Sequence, residues 1–120
     1  MAWRSLGQAD DIPPGQARGF DPRAEGRNTL FVANLGGQLR GWRDWCPHWQ
    51  TGPMAWRKDA YISGDGAALM CHAHGARFDP VTGVCTLGPC LGERLQPIAL
   101  RRKPDGQLEA DLDGLPPNHE

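Results

Sequence analysis

Two short runs in this chain concentrate residues that bind metals or move electrons. The first is Cys46-Pro47-His48 and the second is Cys71-His72-Ala73-His74. Cys85 and Cys90 follow later, and His119 stands near the C-terminal end. Four cysteines in 120 residues are too sparse for a disulfide-dense secreted scaffold. No apolar run follows Met1-Ala2-Trp3-Arg4-Ser5, so a secretory leader is not expected and the thiols should stay reduced in a cytoplasmic setting. Metal or redox chemistry is therefore the first question, ahead of disulfide stapling.

The two runs form a C-x-H pair and a C-x-x-H pair, separated by the 22 residues 49 to 70. A structural zinc module takes two thiolates and two imidazoles tetrahedrally. Against that, C-x-H is a tighter chelate than the wider pairs of mononuclear zinc fingers. His72 lies between the ligand positions of the second run and reads as a partly exposed polar residue. His119 reads as solvent-exposed. Cys85 and Cys90 could pair locally, but a reducing compartment favours Cys90, beside Pro89, as a small buried residue.

Whatever these residues bind must be positioned by the elements around them. Glycine and proline together make up 27 of the 120 residues, which fits a turn-rich β protein and disfavours long helices. Trp3 to Leu6 is a mixed segment ahead of an acidic turn at Asp10-Asp11, and Pro13-Pro14-Gly15 opens a new one. Gln16 to Phe20 reads as a short strand. Thr29 to Ala33 is the strongest strand in the chain. Gly36-Gly37 suits a hairpin, and Gln38 to Arg43 alternates as its return strand. Residues 44–58 read as a loop. Tyr61-Ile62-Ser63 and Ala67 to Met70 read as strands around Gly64-Asp65-Gly66. The 49–70 spacer is thus a hairpin that returns the chain to its start, so the two ligand-bearing loops should end side by side. A second loop runs from Cys71 to Arg77, with Gly75 and Ala76 small enough to let backbone N–H groups approach an anion such as sulfide. Pro80 to Gly83 is a turn between Phe78-Asp79 and Val84-Cys85. Gly88-Pro89-Cys90 is a stiff turn. Leu95 to Leu100 reads as one strand, Asp105-Gly106 as a hairpin turn, and Gln107 to Leu112 as the return. The expected organisation is one domain over 1–113 with a flexible tail at 114–120.

With its flanks, this pattern resembles the Rieske iron–sulfur proteins. The resemblance rests on Cys46-Pro47-His48 and Cys71-His72-Ala73-His74-Gly75. It extends through Ala76-Arg77-Phe78-Asp79, Thr82-Gly83, Gly88-Pro89 and Leu95, and covers roughly residues 2 to 112. It implies an all-β, Rieske-like fold: an antiparallel sandwich or barrel carrying a two-loop cluster-binding lobe. It also implies one [2Fe–2S] cluster per chain, with Cys46 and Cys71 on one iron and His48 and His74 on the other. Two ferric ions, two sulfides and two thiolates sum to zero charge, whereas an all-cysteine cluster is a dianion. Reduction is correspondingly easier, at roughly −150 to +300 mV against about −400 mV for plant-type ferredoxins. The spacer is longer than is usual among Rieske ferredoxins. The extra cysteines that form a disulfide in high-potential members are absent from Trp49–Gly52 and from His72-Ala73. This places the chain with the soluble, low-potential branch.

The function so implied is that of a Rieske ferredoxin, a one-electron carrier between a reductase and a terminal oxygenase or other oxidoreductase. It is not expected to be an enzyme by itself, since no general base, nucleophile or substrate pocket stands out. A small subunit of a larger, nitrite-reductase-like assembly is the alternative, followed by the zinc module. Trp45 reads as packed inward. Trp49 and Trp56, with Pro53 and Met54, serve equally as core or as an exposed apolar collar for a redox partner. A net charge of −1 without a basic run argues against nucleic acid. No apolar stretch approaches the roughly 20 residues needed to span a bilayer.

Overall fold

The computed structural model describes residues 2–24, 26, 28–35, 37–44, 61–63, 66, 68–71, 76–88 and 91–114. Ten strands are present among the described residues: β1 (Trp3–Gln8), β2 (Gln16–Phe20), β3 (Leu30–Leu35), β4 (Gln38–Arg43), β5 (Leu69–Cys71), β6 (Ala76–Phe78), β7 (Cys85–Leu87), β8 (Pro97–Ile98), β9 (Leu100–Arg102) and β10 (Gln107–Asp111). Two 3-10 turns, Ala9–Asp11 and Leu112–Gly114, are the helical elements among these residues. The strands form three antiparallel sheets, ordered β1-β10-β9, β2-β3-β4-β8 and β5-β6-β7. The all-β expectation is met.

The middle sheet lies between the other two, and β3 explains why. Its run Leu30-Phe31-Val32-Ala33 is almost wholly buried, at 0–3% exposure. Successive side chains of a strand point to opposite faces. Phe31 and Ala33 pack into a core with Trp42, Tyr61, Leu69, Cys71, Ala76, Phe78, Cys85 and Leu95. Leu30 and Val32 pack into a second core with Ala9, Ile12, Ile98, Leu108, Ala110 and Leu112. A continuous apolar run is what a strand covered on both faces requires. One core thus supports the sheet that carries Cys71, and the other joins the central sheet to β1 and β10.

Several expectations are refined. The mixed segment at Trp3 to Leu6 is a strand, paired from Trp3↔Asp111 to Gln8↔Gln107 with a bulge between Ser5 and Gly7. Its propensity is weak, and pairing with β10 organises it. The single strand expected over Leu95 to Leu100 is two short strands on different sheets. Pro97-Ile98 pairs with Gly41-Trp42, and Leu100–Arg102 then pairs with β10. The change occurs at Ala99, whose carbonyl accepts from Asp111 N at 2.9 Å. Pro97 has no N–H to extend the first ladder. The second loop is shorter than its expected span of Cys71 to Arg77, because Cys71 ends β5 and Ala76 begins β6. The described part of the 49–70 hairpin is a tight ladder: Ile62 bridges Leu69, and Met70 N donates to the Tyr61 carbonyl at 2.9 Å. The tail expected from 114 begins as Gly114 closes the last 3-10 turn, and 115–120 lie outside the described residues.

Candidate metal centre

Of the four expected ligands, Cys71 lies among the described residues; Cys46, His48 and His74 lie outside them. So do His72, His119, Cys90, Trp45, Trp49, Pro53, Met54 and Trp56. Cys71 is the last residue of β5 and is fully buried. Its register partner is Ala76, the first residue of β6, so residues 72–75 connect the two strands. The second ligand run therefore springs from a hairpin whose stem is part of the core.

The chain leading to the first ligand run is anchored at Asp44. Asp44 directly follows β4, and its backbone N–H donates to the Thr29 carbonyl at 3.0 Å. Its carboxylate accepts from the Tyr61 hydroxyl at 2.6 Å, in a buried setting. Tyr61 is in turn stacked on Phe31, with ring centroids 4.1 Å apart and planes 6° from parallel. The segment that leaves the central sheet after Asp44 therefore returns to it at Tyr61. From Tyr61 the ladder to Met70 leads directly to Cys71. The stems of the two loops are thus joined through Asp44, Tyr61 and Met70, and the loops themselves, expected to end side by side, lie outside the described residues.

A third segment closes in on the same place. Gly88, at φ +113, runs so near Ala76 that an added Cβ would stand 2.9 Å from the Ala76 Cα. Only a residue without a side chain tolerates that approach. Gly88, the first residue of the Gly88-Pro89-Cys90 run, thus lies against the stem of the second ligand run; Pro89 and Cys90 are outside the described residues. Cys85 is buried in the same core, and its Sγ–H donates weakly to the Leu87 carbonyl at 3.4 Å.

A buried thiol at a strand end, beside the convergent stems of a second cysteine- and histidine-bearing segment, suits a soft metal cluster. Asp44 and Tyr61 did not stand out in the sequence. The one available signal was that Asp44 lies two residues before Cys46 and that Tyr61 is the sole tyrosine.

The model of the Rieske [2Fe–2S] domain matches residues 2–110, nearly the whole chain. The chain belongs to the Rieske [2Fe–2S] domain family. The solved structures agree with this assignment. A chain in the complex of reduced oxygenase and oxidised ferredoxin of carbazole 1,9a-dioxygenase is 25% identical, with a TM-score of 0.68 over 90% of this chain and 91% of that one. The ferredoxin of carbazole 1,9a-dioxygenase from Nocardioides aromaticivorans IC177 is 18% identical, with a TM-score of 0.68 over 92% of this chain and 97% of its own. A longer chain, from a complex of ferredoxin with a variant oxygenase of carbazole 1,9a-dioxygenase, is 20% identical with a TM-score of 0.72. It is matched over 98% of this chain and 30% of its own length. The Rieske fold is shared by all three. With the family comes its cofactor, a Rieske-type [2Fe–2S] cluster, and with that cluster one-electron transfer.

Proposed function

We propose that this Rieske protein is a ferredoxin-type electron carrier, taking one electron at a time from a reductase and delivering it to a terminal oxygenase or other oxidoreductase. The observation that carries this reading is the placement of Cys71 at a buried hairpin stem, against the stem of the Cys46–His48 segment. The near-complete mutual coverage with a chain of the carbazole dioxygenase oxygenase–ferredoxin complex supports the choice of partners. The protein acts as a carrier rather than as a catalyst, with residues 1–113 as one domain and a cytoplasmic setting. No helix among the described residues is long and apolar enough to cross a membrane.

Cys46 and Cys71 would hold one iron of the cluster, and His48 and His74 the other. The cluster, when bound, accepts and releases a single electron. The chain's part is to fix the ligand runs and keep water away. β5 and β6 set the stem from which His74 departs, and the Gly88 turn presses on that stem. Electrons would leave through the two imidazole ligands, His48 and His74.

Stopped-flow mixing of the chemically reduced protein with an oxidised Rieske oxygenase tests the carrier reading. Reoxidation at a rate that grows with oxygenase concentration is expected. A protein that never transfers its electron to any oxygenase or reductase tried, yet co-purifies stoichiometrically with one large subunit, belongs to a fixed assembly instead.

A further inference from the structure

Asp44, just after β4, is tied to Thr29, the residue before β3, and Tyr61 stacks on the face of Phe31 within β3. Between those two anchors a side-chain hydrogen bond runs from the Tyr61 hydroxyl to the Asp44 carboxylate at 2.6 Å. Asp44 is 5% exposed and Tyr61 1% exposed, so water competes weakly for this bond. The contacts are contiguous: Cys46 lies two residues from Asp44, Asp44 bonds Tyr61, the Tyr61 carbonyl accepts from Met70, and Met70 precedes Cys71.

We propose that the Asp44–Tyr61 hydrogen bond is a clasp that fixes the spacing between the two cysteine-bearing stems, making Tyr61 and Asp44 positioning residues for cluster retention. The proposal rests on the ligand assignment above and adds residues outside the ligand set.

The test uses the cluster-loaded full chain and reads the rate of iron release to a chelator, together with the EPR line shape of the reduced protein. Tyr61→Phe keeps the ring that stacks on Phe31 and removes only the hydroxyl. Asp44→Asn keeps an acceptor oxygen for it. Ile98→Val, in the other core, serves as a control for general destabilisation. Tyr61→Phe should start with a full cluster, release iron about tenfold faster than the native protein, and show broadened EPR lines. Asp44→Asn should stay within about twofold, as a retained hydrogen bond requires. Tyr61→Phe releasing iron no faster than Ile98→Val overturns the proposal, and so does Asp44→Asn releasing it as fast as Tyr61→Phe. If Tyr61→Phe does not accumulate as folded protein, Asp44→Ala against Asp44→Asn makes the same comparison. Native iron content in Cys46→Ser overturns the ligand assignment instead, a result separable from the release rates.

Discussion

Gly83 lies against the indole of Trp42, so closely that a Cβ built on Gly83 would stand 2.6 Å from the ring's Cζ3. Trp42 belongs to β4 of the central sheet, and Gly83 to the turn before β7, so this contact docks the sheet of Cys71 on the central sheet. The Gly83 carbonyl also accepts from Leu95 N at 2.9 Å, which ties the turn to the segment leading into β8.

Gly83→Ala therefore meets two penalties. A side chain collides with a buried ring, and φ of +76 is a left-handed conformation. Together these should cost roughly 2–5 kcal/mol. Urea unfolding of the cluster-loaded protein checks this. A loss below about 0.5 kcal/mol, the range of an ordinary surface change, contradicts the docking role.

The ligand assignment predicts a composition and a mutational pattern. Anaerobically purified protein should contain about two irons and two acid-labile sulfides per chain. His48→Ala and His74→Ala should abolish the Rieske-type EPR signal, while His72→Ala should preserve it. One zinc without sulfide, or loss of colour on His72→Ala alone, contradicts the assignment.

A buried hydrogen bond on the far side of the central sheet provides a change that should spare the cluster. Asn34 Nδ2 donates to the Ile12 carbonyl at 2.8 Å, holding the Ala9–Asp11 turn onto β3. Asn34→Ala should destabilise the fold by about 1–3 kcal/mol, because the carbonyl loses its donor. The EPR spectrum should be unchanged. A shifted spectrum shows that this end of the fold is coupled to the ligand stems.

Two carboxylates make stability depend on acid. The backbone N–H groups of Val81 and Thr82 donate to Asp79 at 2.7 and 3.1 Å and hold its pKa below the usual carboxylate range. Donation from Ala2 N and Asp113 N does the same for Asp111. A carboxylate with a depressed folded-state pKa stabilises the fold above its unfolded pKa, and that contribution disappears as pH falls through the folded value. Stability should therefore decline from about pH 4 downward. Asp79→Asn keeps an acceptor oxygen but cannot titrate, so its decline should be shallower than that of the native protein. Parallel acid titrations followed by circular dichroism measure this, and coincident curves contradict it.

The sequence by itself determined the chemistry and most of the strands. C-x-H and C-x-x-H need no fold to be recognised, because chelate spacing is local. The boundaries of β2 and β4, the turn at Pro80 to Gly83 and the Asp105-Gly106 hairpin were legible because turn residues and alternation act over a few neighbours. Tertiary structure decided what depends on distant partners. Trp3 to Gln8 became a strand because β10 offered it a free edge. The chain changed sheets at Ala99 because two ladders on different sheets claimed the residues on either side. The burial of both faces of β3, the closure of Gly88 on Ala76, and the bond from Tyr61 to Asp44 all join residues far apart along the chain. Periodicity and spacing carry no record of such pairs, since each becomes favourable only when the packed sheets exclude water between them.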